Sequence, residues 1–255
     1  MTAAEVEQII NDGIAEAERV RAAIRLPLGS RTRMVFAIAD ESGEVLGLYR
    51  MRDATVFSVE VAVSKARNTA YYASSSDLQP IDQAVGHDGT VVPAGTAFSN
   101  RTFRFLAEPR FPSGQDGTIP GSFSILHDIV DAVPGFSFDF TAQQIIECDF
   151  PIPYTAFDSV LGFNSFNPGS NFHDVDNYEN QSGVVFFPGS TPLYAGSGAL
   201  VGGFGVSGDG VDQDDVVTFV GAGTFLPPDT VVEADEVRVD GIRLPYQKFL
   251  RNPRG

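Results

Sequence analysis

The sequence predicts a single mixed α/β domain of the α+β type. Three observations predict it: apolar residues recur at helical spacing near the N-terminus, short apolar runs flank turn chemistry in two places, and helical spacing returns after each of these hairpins. At 255 residues, 43% hydrophobic and 20% charged, the chain is long and apolar enough to bury a substantial core.

Thr2 and Glu5 form a capping-box pair, in which hydroxyl and carboxylate each satisfy a free amide at a helix start. Val6, Ile9, Ile10, Ile14, Ala17 and Val20 then recur three and four apart, which predicts a helix to about Arg25, closed by Pro27 and Gly29. Apolar runs at 34–39 and 45–51 flank Glu41-Ser42-Gly43-Glu44 and predict a hairpin. Val59, Val63, Ala66 and Ala70 place one apolar face on a second helix over about 55–73.

The composition then turns rich in Gly, Pro, Ser, Asn and Phe, which predicts a long, partly irregular insertion over 78–182 held in order by its aromatic residues. Regular structure is expected again from 183: a strand at 184–187, a turn at 188–192, a strand near Leu193, a turn at 196–198 and a glycine-rich strand at 200–206. Asp209 reads as the cap of a helix carrying Val216, Val217, Phe219 and Val220, which Gly221 and Gly223 end. A last strand is expected over 231–239. The chain 1–255 is thus one domain, with a core of 2–77 and 183–240, the insertion, and a basic tail at 241–255 expected on another surface.

Thirty-three acidic against 17 basic residues give a net charge of −16, which argues against nucleic acid or an anionic membrane as the main partner. One cysteine, Cys148, makes no internal disulfide and no C-x-x-C zinc pattern. No stretch of 18 apolar residues and no basic-then-apolar leader occurs in the chain as given, so a soluble protein is expected, its compartment open.

Four motifs resemble one family. Ala37-Ile38-Ala39-Asp40-Glu41-Ser42-Gly43 followed by Leu48-Tyr49-Arg50-Met51, then Ser64-Lys65-Ala66-Arg67-Asn68-Thr69-Ala70, Phe187-Pro188-Gly189-Ser190-Thr191-Pro192-Leu193 and Val201-Gly202-Gly203-Phe204-Gly205-Val206-Ser207-Gly208 look like the GlcG/HbpS haem-binding family, the DUF336 group. The resemblance covers roughly 2–77 and 183–225. It implies a profilin-like antiparallel sheet of about five strands flanked by helices, assembly into homo-oligomers, and binding of haem or a related tetrapyrrole in haem capture or redox sensing. Family members that bind haem generally use a histidine, and the matching segments hold none: His87, His127 and His173 all lie in the insertion.

The residues supply candidate ligands. His127, His173, His87 and Met51 are of the types that ligate haem iron, while Arg50, Lys65 and Arg67, with Arg52 beside them, suit propionates. His127 and His173 with Asp174 and Asp176 form a candidate transition-metal set, and the oxygen-rich stretch 171–180 a candidate calcium loop without the glycine and glutamate of an EF-hand. Gly203-Phe204-Gly205-Val206-Ser207-Gly208 satisfies G-x-G-x-x-G, but without a parallel βαβ unit the glycines are expected to serve close packing. Three readings follow: tetrapyrrole binding without turnover; a structural module whose insertion and basic tail mediate assembly, the tail docking on an acidic neighbour; and a metal-dependent enzyme using His127 and His173.

Overall fold

The computed structural model describes residues 1–86, 88–108, 110–112, 118, 121–124 and 183–255, together with two strands at 137–139 and 144–147. The capping box forms: the Glu5 amide donates to the Thr2 hydroxyl at 3.3 Å and the Thr2 amide to the Glu5 carboxylate at 2.7 Å. Helix α1 spans Ala3–Ala17 and stops well before Arg25. Beyond it the backbone amides have other acceptors, Arg21 donating to the Pro253 carbonyl and Ala22 to that of Ser30, so the chain doubles back as a loop.

Strands β1 (Val35–Ala39) and β2 (Val45–Arg50) pair antiparallel around a turn in which Asp40 accepts from the amides of Ser42 and Glu44, both at 3.0 Å. Helix α2 (Ser58–Ala73) follows, and the start of the insertion contains a further short helix, α3 (Asn100–Leu106). A small ribbon pairs β3 (Ser137–Asp139) with β4 (Gln144–Glu147). The segment 184–187 is not a strand; β5 is Ser190–Tyr194 and runs through Pro192, tolerated because β5 is an edge strand. Strand β6 (Leu200–Ser207) leads to helix α4 (Val211–Ala222), whose N-cap is Gly210 and not Asp209. In place of one strand over 231–239 stand β7 (Arg238–Val239) and β8 (Ile242–Arg243).

The main sheet is antiparallel, as expected, and among the described residues it has four strands in the order β2-β1-β6-β5. Its two faces differ chemically. Ala37, Ala39, Gly203 and Gly205 share the face covered by α2, which presents Ala62, Ala66 and Ala70. A Cβ on Gly203 or Gly205 would stand 2.1 Å from the carbonyl oxygen of Ala66 or Ala62, so helix backbone lies directly on strand backbone. The glycines of the G-x-G-x-x-G stretch therefore seat a helix on an antiparallel strand. The opposite face carries Phe36, Ile38, Phe204 and Val206 beneath α1 and α4, where the rings of Phe36 and Phe204 stack at 6.4 Å against Gly13 and Gly221.

A second core forms where the insertion starts. Tyr71 and Tyr72 at the end of α2 pack with Phe98, Phe103, Phe111 and Phe123, and with Leu244 and Tyr246 from the C-terminal segment. Here the phenylalanines of the described part of the insertion bind it to its own domain. The basic tail also folds back on its own chain: Lys248 pairs with Asp212 at 2.8 Å and Arg254 with Glu16 at 2.8 Å.

Candidate functional site

Lys65 is fully enclosed in the described structure. Its ammonium donates to the carbonyls of Pro188 at 2.7 Å and Val206 at 2.6 Å and to the Asp214 carboxylate at 3.1 Å, satisfying its three donors. The side chains of Lys65 and Asp214 are 0% and 3% exposed. Burial lowers the Lys65 ammonium against the opposing pull of Asp214. Burial also lifts the Asp214 carboxyl to about 7, against the pull of Lys65 and with the Asp215 charge adding to the rise. Gly189, at φ +115°, lies over the pair, and a Cβ there would stand 2.5 Å from the Asp214 Cβ.

One turn further along α2, Asn68 donates to the Gly183 carbonyl at 2.6 Å and accepts from the Val185 amide at 2.9 Å and from Asn100 at 3.1 Å. Ser190 in turn donates to Asn100 at 2.6 Å. Lys65 and Asn68 thus fasten the re-entering chain to α2 just ahead of β5, at Pro188 and at Gly183 and Val185, and motifs far apart in sequence meet there. Asp209, expected as a helix cap, instead accepts from the Ala23 amide at 2.6 Å and lies 3.2 Å from the Arg25 guanidinium, anchoring the loop after α1.

The remaining described candidates lie elsewhere. Arg67 donates to the Gly43 carbonyl at 2.8 Å, across the first hairpin turn. Arg50 is exposed, with its guanidinium on the Ala54 carbonyl at 2.9 Å, and Met51 is buried, its sulfur accepting from the Met34 amide at 3.4 Å. Arg50 and Met51 flank a turn in which Asp53 adopts φ 65°. His87, His127, His173, Asp174, Asp176 and the stretch 171–180 lie outside the described residues. Among the described residues no group of three or more His, Cys, Asp or Glu side chains is placed to hold a metal ion.

Beside Met51, two clefts adjoin. One of about 380 Å³ is lined by Ile14, Tyr49, Met51, Arg52 and the charges of Glu18, Arg33 and Asp53. The other, about 640 Å³, shares Arg33 and Asp53 with it and continues to Ile24, Arg25, Leu26 and Arg31. The loop that forms its wall is strongly apolar at the surface, Leu26 being 84% and Leu28 91% exposed. Four arginines face two carboxylates here, in a chain of net charge −16. Arg25 and Arg31 are held by backbone carbonyls, Arg25 by those of Asp53 and Arg33 and Arg31 by those of Arg19 and Arg254. Arg33 donates to the Thr32 carbonyl at 3.4 Å and reaches Glu18 only at 4.0 Å, and Arg52, 95% exposed, reaches Asp53 only at 4.0 Å, so among the described residues both guanidiniums keep donors for an anion. Arg33 and the apolar loop carry no local signal in the sequence, and only the pairing of Arg21 with Arg31 and of Ala22 with Ser30 brings them beside Tyr49 and Met51.

No family model matches the chain, and no curated protein does. Solved structures do. Klebsiella pneumoniae protein ORFY, of the DUF336 family, is 15% identical over 88% of this chain and 90% of its own, with a TM-score of 0.44. A PduOC–haem complex is 15% identical over 87% of this chain and 92% of its own, with a TM-score of 0.44. HbpS is 14% identical over 87% of both chains, with a TM-score of 0.38. The DUF336 designation of the first and the name of the third are those of the group that the four sequence motifs resemble. None of the described helices is long and apolar enough to cross a membrane.

Proposed function

We propose that the chain binds haem or a related tetrapyrrole, without turnover, in the joined clefts between α1, β2 and the loop at 24–33. The observation that carries this reading is the chemistry of the lining: apolar Ile14, Ile24, Leu26 and Met51 beside the available guanidiniums of Arg33 and Arg52. A tetrapyrrole needs both, an apolar wall for the macrocycle and cations for its propionates. Tyr49 and Met51 belong to the segment Leu48-Tyr49-Arg50-Met51 in which the chain resembles the haem-binding family. Tyr49, 45% exposed on the cleft, supplies a phenol of the kind that ligates haem iron, whereas the Met51 sulfur already accepts a hydrogen bond. His87, His127 and His173 remain proposed second ligands, and Arg50 a proposed further partner for a propionate. Haem bound here would supply redox or gas-binding chemistry at the iron; the residues of the cleft hold and orient it.

Titration with hemin tests the reading. The wild type is expected to give a saturable, shifted Soret band, Tyr49→Phe to alter the band, and Arg33→Ala with Arg52→Ala to weaken binding by about tenfold, the value of one or two charge-assisted hydrogen bonds. No spectral shift in the wild type removes the proposal.

Self-association is proposed from a separate observation. Strand β2 is an edge of the sheet, contains neither proline nor lysine, and exposes Val45, Leu46, Leu48 and Tyr49. Such an edge offers its free backbone groups to a second copy of the same strand. Leu46→Lys with Leu48→Lys is expected to lower the mass measured by light scattering to that of the monomer; an unchanged oligomer places the contact elsewhere.

A further inference from the structure

We propose a second ligand site, separate from the haem cleft, that takes a small apolar molecule bearing a carboxylate. It lies between α3 and the C-terminal segment, in a cavity of about 480 Å³ within the size range of small-molecule pockets. Its apolar wall comes from Phe105, Leu244, Pro245 and Tyr246, of which Leu244 and Tyr246 are buried. Four of the chain's 17 basic residues line it, Arg101, Arg104, Arg243 and Lys248, against the carboxylates of Glu108 and Asp235.

Arg101, Arg243 and Lys248 are held in place, and among the described residues each keeps a donor without a partner. Arg101, with its side chain 15% exposed, donates through Nε to Asp215 and through Nη2 to Asp212 at 2.7 Å, which leaves Nη1. Arg243 holds Asp235 through Nε and through Nη2 at 2.7 Å, again leaving Nη1. Lys248 commits its ammonium, among the described residues, to Asp212 at 2.8 Å. Arg104 is exposed and makes no hydrogen bond or ion pair among the described residues. Asp212 and Asp215 hold Arg101 from behind, so the guanidinium is positioned before any ligand arrives, and a pre-positioned fork suits a planar carboxylate. The Tyr246 hydroxyl is turned away, bonded to Thr191 at 2.7 Å, so the ring presents its apolar surface to the cavity. A lining that combines cationic donors with apolar side chains selects an amphipathic anion over a bare inorganic ion.

Calorimetric titration of the full chain with 2-naphthoate tests the site. Saturable binding is expected, weakened at least tenfold by Arg104→Ala with Arg243→Ala and at least tenfold for the uncharged analogue 2-naphthylmethanol. Both substituted residues are at the surface, and an unchanged melting temperature verifies the fold. The same variant is expected to leave the hemin titration unchanged, while Arg33→Ala with Arg52→Ala leaves naphthoate binding unchanged, so failure of either site is told apart from failure of the other. Absence of saturable naphthoate binding, equal affinity in the Arg104/Arg243 variant, or equal affinity for the alcohol overturns the proposal.

Discussion

Lys65→Met destabilises the folded chain by about 3–5 kcal/mol, the cost of leaving one member of a buried ion pair without its partner. Asp214 would then stand 3% exposed beside Asp215, with the carbonyls of Pro188 and Val206 also deprived of their donor. The double variant Lys65→Met with Asp214→Leu is expected to be markedly more stable than the single one, because an apolar pair leaves no buried charge. Denaturant midpoints measure both, and a single variant within about 1 kcal/mol of wild type contradicts the role given to this pair.

The same pair sets a pH dependence. The folded Asp214 carboxyl, at about 7, lies above its ordinary value of 3.8, so the folded state holds this proton more tightly than the unfolded chain. Its contribution to stability is full below about pH 3.8 and is lost as the pH rises through about 7. The penalty of Lys65→Met is accordingly larger at pH 8 than at pH 5, because without Lys65, which pulls the carboxyl down, Asp214 rises further still and must hold a proton to stay buried. Asp214→Asn removes this part of the slope.

Gly205→Val is the second large effect, about 3 kcal/mol or more, at the upper end of overpacking costs. The first atom of any side chain there meets the Ala62 carbonyl at 2.1 Å and the Ala66 amide nitrogen at 2.7 Å, backbone on both sides. Relief requires lifting α2 from β1 and β6, which separates Lys65 from Val206. Gly196→Ala is the matched control, since its Cβ would meet nothing within 4 Å, and it is expected to change stability by less than about 0.5 kcal/mol. A melting temperature for Gly205→Val equal to that of Gly196→Ala contradicts the helix-on-strand contact.

The framework was legible where local chemistry decides the structure. The Thr2–Glu5 box, the 41–44 turn, the apolar face of α2 and the glycine-rich β6 all carry short-range signals, and each element forms. The errors fall where distant chain decides. Val20 continues the helical spacing of α1, but Ser30 and Pro253 take the amides that would extend the helix. Pro188 and Pro192 read as turn residues, and β5 nevertheless forms because β6 pairs with it. Lys65 shows the same limit at the level of the site: a lone lysine in a helix looks like a free cation until Asp214, 149 positions away, is brought beneath it. The cleft beside Tyr49 and Met51 was half legible, its strand side from a motif and its loop side only from the fold.

Hydrogen–deuterium exchange with and without hemin locates the tetrapyrrole proposed for the clefts beside Tyr49 and Met51. Slowed exchange confined to 14–33 and 48–54 is expected. No protection in those segments, or protection centred on 101–108 and 243–248 instead, would contradict it.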